Sequence, residues 1–188
     1  LMLDTNCPWT PDEAIAMARA LEPCRLFWLE EPVWPPEDYR GLARVCRATA
    51  TPIASGENES TLYGFREIID SGAADILQPS ITKVGGISEF KKIAALAQAA
   101  NLPIAPHSFY FGPGLAATLH VAATLGGTMP VEFPTGEYET PFLAHPLVAR
   151  DGWMEVPAGP GLGVEINEDA IRRYPYSSLG AHPFVLHR

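Results

Sequence analysis

The sequence predicts an α/β fold, an incomplete (β/α)8 barrel of the TIM type. Short apolar runs alternate with amphipathic stretches of about 10–14 residues, the rhythm of parallel βα units. Polar residues end the successive apolar runs on a steady beat: Asp4, Glu30, Glu57, Ser80 and His107 are separated by 26, 27, 23 and 27 residues. In a parallel barrel such strand ends converge on one face, where the active site lies. In an open doubly wound sheet they would spread along an edge. No Gly-x-Gly-x-x-Gly follows the first run, and Gly85-Gly86 lacks that spacing, which favours the barrel.

Each element can be justified in turn. "LMLDTN" is an apolar run ending in polar residues; Thr10 then reads as an N-cap, with Pro11 opening the helix "DEAIAMARAL". "RLFWLEEP" is the second strand, followed by a helix over about residues 37–47. "TPIASGEN" precedes a helix near 62–70 that Gly72 closes. "DILQPS" leads to an Ala-rich helix at about 87–100. "LPIAPHS" is followed by the helical "PGLAATLHVAATLG", and "MPVEF" reads as a sixth strand. A closed barrel needs eight strands and typically about 250 residues. Six strands in 188 residues, the first opening at Leu1, are therefore expected to be the carboxyl-terminal part of a longer barrel.

Composition narrows the function classes. Thirteen basic against 22 acidic residues give a net charge of −9, which argues against nucleic acid as a partner. No apolar run approaches the roughly 18 residues of a membrane span, and no basic, then apolar, leader opens the chain. Cys7, Cys24 and Cys46 are odd in number and lack Cys-x-x-Cys spacing, so neither a disulfide framework nor a zinc site is indicated. A cytoplasmic protein is the expectation.

The stretch "LFWLEEP" bears on chemistry. Its apolar residues read as a strand buried on both faces, yet it ends in two adjacent carboxylates, which are costly to desolvate unless a cation lies among them. Asp4, Glu30 and Glu57 end three successive strands and should meet at the barrel mouth. One acidic residue there would usually be solvated or a helix cap. Three in phase suit a hard divalent cation with oxygen ligands, Mg2+ before Zn2+. Glu30 is assigned to the metal, Glu31 to a supporting or ion-pair role behind it, and Pro32 to ending the strand.

"LDTN", "WLEEP", "SGEN", "QPSITKVGG" and "APHS", in this order, resemble the enolase superfamily, and within it the mandelate racemase-like subgroup. The resemblance covers nearly the whole chain. It implies strands three to eight of the modified superfamily barrel, with residues 1–150 as barrel. Residues 151–188, containing "GPGLGVEIN", would pack back on an N-terminal capping domain. The implied reaction is Mg2+-assisted removal of a proton next to a carboxylate, through an enediolate. The resemblance maps the metal ligands onto Asp4, Glu30 and Glu57, and makes Asn6 and Asn58 polar neighbours of those ligands, Asn6 on the substrate side. Such a carbon acid is very weak, so a divalent ion and oriented donors at a dry mouth are a fitting remedy.

His107, in step with these ligands, is the candidate acid/base. His120 lies in an apolar helical pattern and reads as a packing residue, while His145, His182 and His187 carry no signal. Racemase-like members of the family pair this His with an Asp on the preceding strand, and the muconate-cycloisomerase-like branch has a Lys there. Here the position is Ser80, which can hydrogen-bond an imidazole but cannot stabilise imidazolium as a carboxylate does. His107 is thus expected to serve better as a proton donor to a departing hydroxyl than as a strong base. Lys83 is a candidate contact for the substrate carboxylate, with a structural ion pair as the alternative. Glu132 matches an acidic residue that hydrogen-bonds the substrate, and Tyr110, Phe111 and Gly112 are expected to line the pocket.

These residues point to a lyase, an Mg2+-dependent acid-sugar dehydratase. A racemase or epimerase of a 2-hydroxy acid is the alternative, and a barrel that has lost its chemistry is a third reading. Three convergent carboxylates argue against the last. The expected partners are a small carboxylate substrate and, in the full-length form, further copies of the same chain.

Overall fold

A computed structural model describes residues 1–127, 129–136 and 138–175; His182 and His187 lie outside the described residues. Four short strands alternate with helices: β1 (Met2–Asp4), α1 (Pro11–Leu21), β2 (Trp28–Glu30), α2 (Tyr39–Ala48), β3 (Ile53–Ser55), α3 (Leu62–Ser71), β4 (Ile76–Leu77), α4 (Ile87–Ala99), α5 (Pro113–Ala122) and α6 (Glu168–Arg173). The strands form one parallel sheet in the order β1-β2-β3-β4, with Asp4 opposite Glu30 and Glu30 opposite Ala54. Sequence order equals spatial order, which is how a barrel wall is laid down.

The helix starts follow from the caps. Thr10 and Glu13 form a reciprocal capping box at α1, with Pro11 in the first turn. Asp38 caps α2 by accepting from Gly41 N at 2.9 Å, so the helix starts at Tyr39 rather than near 37. Thr61 caps α3, which Gly72 ends at φ +66°, as the sequence suggested.

Strand alternation sorts the core. Leu29, Val33, Ile53 and Leu77 face the helices and pack with Leu42, Val45, Phe65, Ile68, Phe90 and Ile93. Trp28, Ala54, Ile76 and Ala105 face the other way, with Met129 against them, and form the inner lining below the mouth.

Two expected strands differ. "LPIAPHS" runs beside β4 but is joined only by single parallel bridges, Leu77 to Ile104 and Ser80 to His107. Pro79, Pro103 and Pro106 have no N–H to donate, so the ladder cannot run on. "MPVEF" forms no ladder among the described residues; Pro130 and Pro134 interrupt it in the same way. The chain beyond it folds back, pairing Leu143 antiparallel with Ile166 across the expected boundary at 150, and His120 Nε2 lies 3.1 Å from Leu162 O. No described helix is long and apolar enough to cross a membrane.

Candidate active site

The ends of β1 and β2, together with the segment 105–107, frame a cleft of about 230 Å³. It is lined by Asp4, Trp28, Glu30, Gln78, His107 and Glu132 among others. Alternation places Asp4 and Glu30 on this inner face, two residues beyond Met2 and Trp28. Glu30 is only 9 % exposed, and its Oε2 accepts from the Trp28 indole at 2.8 Å. Burial raises its carboxyl above the ordinary range; Gln78 and Trp28 oppose this, while Asp4 and Glu57 add to it.

Glu57 is half-buried, with Oε2 at 2.7 Å from His107 Nδ1 and Oε1 at 3.8 Å from Lys83 Nζ. The imidazole N–H is not aimed along the short contact, which is therefore an ion-pair approach rather than an in-line hydrogen bond. Burial alone would raise Glu57, but His107 and Lys83 outweigh it and hold the carboxyl below its ordinary value. His107 is the mirror case: burial lowers it, and Glu57 and then Glu132, 3.6 Å from Nδ1, more than reverse this. Glu30, Glu57 and His107 present ligand atoms that all lie within 4.8 Å of one another.

The remaining expected residues are only partly brought to this group: Phe111 and Gly112 do not line the cleft but a separate cavity, with Phe142 and Leu147. Asp4 stays outside the group, exposed, with its carboxylate accepting from Asn6 N at 2.9 Å and Asn6 Nδ2 at 3.0 Å. Asn6 thus faces Asp4, while Asn58 touches Cys7 Sγ at 3.9 Å and is not bonded to Glu57. Lys83 is a loose partner of Glu57. Glu132 Oε2 accepts from Ser108 N at 3.2 Å, which fixes it near His107 although no strand forms there. Glu31 is 1 % exposed and has no cationic partner among the described residues, so the ion-pair option drops out. It accepts from Ser55, Gly56 and Cys7 instead.

Ser80 departs from its expected role. It bridges to His107 through the backbone, but its fully buried hydroxyl bonds the Tyr110 hydroxyl and lies 3.3 Å from Thr82 Oγ1. The imidazole therefore does not receive it. Tyr110 in turn packs edge-on to the His107 ring, centroids 5.6 Å apart. Trp28 and Gln78 escaped the sequence reading; each lies two residues before a singled-out position and so shares its face, a signal that period-2 reasoning offers.

The donor set fits a hard divalent cation. Glu30 is buried without any Lys, Arg or His in ion-pair range among the described residues, and Asp4 and Glu57 press further negative charge on it. Carboxylates gathered in this way at adjoining strand ends are oxygen ligands for which a cation offsets the repulsion.

A protein-family model described as "Enolase C-terminal domain-like" matches residues 1–170. The D-galactarolactone cycloisomerase of Agrobacterium fabrum is 38% identical over 185 residues, covering 93% of this chain and 48% of that protein. The crystal structure of the 3,6-anhydro-D-galactonate cycloisomerase from Zobellia galactanivorans superposes with a TM-score of 0.86 at 38% identity, over 93% of this chain and 50% of that one. The L-talarate dehydratase from Polaromonas sp. JS666, complexed with Mg and L-glucarate, gives a TM-score of 0.80 at 36% identity, over 92% and 46%. The chain thus spans about half the length of the proteins it matches. The matched family, the identity to relatives and the parallel βα wall agree: the chain belongs to the enolase C-terminal domain-like family, in the mandelate racemase branch of the enolase superfamily.

Proposed function

We propose that this chain carries the ligand-bearing and His-bearing part of an acid-sugar lyase, which removes the proton α to a carboxylate and expels an oxygen from the β-carbon. The observation that carries the reading is the meeting of Glu30, Glu57 and His107, whose ligand atoms all lie within 4.8 Å of one another, with Glu30 and His107 on the wall of the cleft. Asp4, Glu30 and Glu57 would hold Mg2+, which when bound supplies positive charge opposite a substrate carboxylate. His107 is held by two carboxylates on its Nδ1 side, which leaves Nε2 to give a proton to the departing oxygen. Lys83, a loose partner of Glu57, and Glu132, 3.6 Å from His107 Nδ1, would serve as contacts for substrate oxygens. The base for the α-proton is assigned to no residue of this chain.

Dehydration, in which hydroxide leaves, is the leading form. A second form expels a ring oxygen of a cyclic acid sugar, with the same proton bookkeeping at His107. Its support is that similar proteins include named cycloisomerases. Racemisation is weaker, because Ser80 puts no carboxylate on the strand position before His107 and its hydroxyl is bound to Tyr110. We also infer a cytoplasmic homo-oligomer in which residues 151–188 face a capping domain.

Proton NMR of linear and cyclic acid sugars in D2O, with the full-length enzyme that supplies the α-proton base, tests the assignment. His107→Asn should slow product formation by roughly 10²–10⁴-fold, the worth of a positioned acid, while α-proton exchange persists. Loss of exchange along with product would make His107 the base and restore the racemase reading.

A further inference from the structure

Glu31 follows Glu30 directly and sits in the left-handed region, at φ +43°. A residue with a Cβ adopts this conformation uncommonly and at a cost, which its surroundings must offset. Here they do so on every side. Its N–H donates to Ala54 O at 3.1 Å, and its C=O accepts from Cys7 N at 2.6 Å and Thr5 Oγ1 at 3.2 Å. The reversed side chain leaves the cleft and enters the gap between the β2 and β3 ends. There Oε1 accepts from Ser55 Oγ at 3.0 Å and Gly56 N at 2.9 Å, and Oε2 from Cys7 Sγ at 3.4 Å. A carboxylate only 1 % exposed, without a cation among the described residues, is an expensive device for joining loops.

Its contacts show what it joins. Cys7 follows Asp4 and Asn6 in the first loop, and Gly56 immediately precedes Glu57. Gly56 itself is at φ +129°, and a Cβ there would meet Phe65 Cε1 at 2.8 Å. The turn that brings Glu57 to His107 and Glu30 is thus backed by Phe65 on one side and gripped by Glu31 on the other. We propose that Glu31 is a positioning residue: its carboxylate sets the Glu57 turn and couples it to the loop that carries Asp4. The proposal rests on the reading of Asp4, Glu30 and Glu57 as Mg2+ ligands.

The alternative is that Glu31 merely stabilises the fold. The two roles separate in a calorimetric Mg2+ titration of the intact protein, performed well below the melting temperature of each variant. Glu31→Gln keeps an oxygen for Ser55 and Gly56 and should bind Mg2+ within about threefold of wild type. Glu31→Leu fills similar space but orphans both donors, and its Mg2+ affinity should fall roughly 10–100-fold, as for other groups that orient ligands. If Glu31→Leu does not fold, Ser55→Ala, which removes one of the two donors to Oε1, takes its place and should weaken binding severalfold. Wild-type affinity in a folded Glu31→Leu or Ser55→Ala variant, while Glu57→Gln abolishes binding, would overturn the inference and leave the metal reading intact. Absence of Mg2+ binding in wild type would overturn the reading, and the inference with it.

Discussion

Glu57 owes its place at the mouth to the turn at Gly56 and not to strand alternation. With Glu30 opposite Ala54, period 2 would send residue 56 inward and 57 outward; the positive φ of Gly56 corrects this by one residue. A ligand role for Glu57, and not merely an ion pair with His107, has a measurable consequence. Orienting groups behind a metal ligand are worth roughly 10–100-fold in affinity, so Glu57→Gln should cost more than about 100-fold in a Mg2+ titration. His107→Asn should leave Mg2+ affinity within a few-fold, because a hard cation prefers the three carboxylates to an imidazole. An equal loss in both variants would instead assign the ligands to Glu30, Glu57 and His107. Asp4 and Glu30 were legible from residue order, because regular strands carry them inward, and His107 kept the same beat although only single bridges join its segment to β4. The Ser80–Tyr110 bond was not legible: the partners lie 30 residues apart, and only the fold could show that this hydroxyl is consumed before it reaches the imidazole.

The loop between β3 and α3 shows how an element is set up beside the site. Glu59 Oε1 accepts from Ser60 N and Thr61 N, both at 2.7 Å, and from Thr61 Oγ1 at 3.0 Å, while Oε2 accepts from Tyr39 OH at 2.5 Å. Burial opposes ionisation, but these donors outweigh it and hold the carboxyl below its ordinary value. A depressed folded-state value means that the stabilisation is fully present above the unfolded value near ~4.3 and fades as pH falls through the folded value. Glu59→Gln should therefore lower stability by about 1–2 kcal/mol at neutral pH, the scale of hydrogen bonds to a charged acceptor. The deficit should shrink as the pH drops below about 4.3. Denaturant melts of both proteins at several pH values check this; a deficit that grows towards acid pH would contradict it. The start of α1 and the end of α3 could be placed from Thr10, Pro11 and Gly72, which act locally, whereas α2 and α4 were placed from their apolar runs alone. The fifth and sixth strands could not be judged so simply. Their apolar residues read as strand, but whether a ladder forms depends on which N–H groups the prolines remove.

At the scale of the whole chain, the wall has an inner face and two sides that it does not itself cover. Trp28, Ala54, Ile76 and Ala105 line the concave face, where a barrel stacks side chains from opposing strands in layers. On the β1 side, Leu1, Met2 and Phe27 are 85 %, 43 % and 50 % exposed, next to a strand paired on one side only among the described residues. Unpaired backbone N–H and C=O groups beside apolar side chains are a template for joining another chain. The net charge of −9 opposes close approach, but salt screens it over about 8 Å at physiological ionic strength. Edge pairing acts at shorter range than that. The 188-residue chain expressed by itself should therefore associate, and light scattering should report a mass that rises with protein concentration and with salt. Met2→Lys places a charge on the exposed edge and should lower the mass at a given concentration without altering the helical signal. A monodisperse monomer with one cooperative melt, unaffected by Met2→Lys, would mean that the β1 edge is already masked and that six strand-like segments close on themselves.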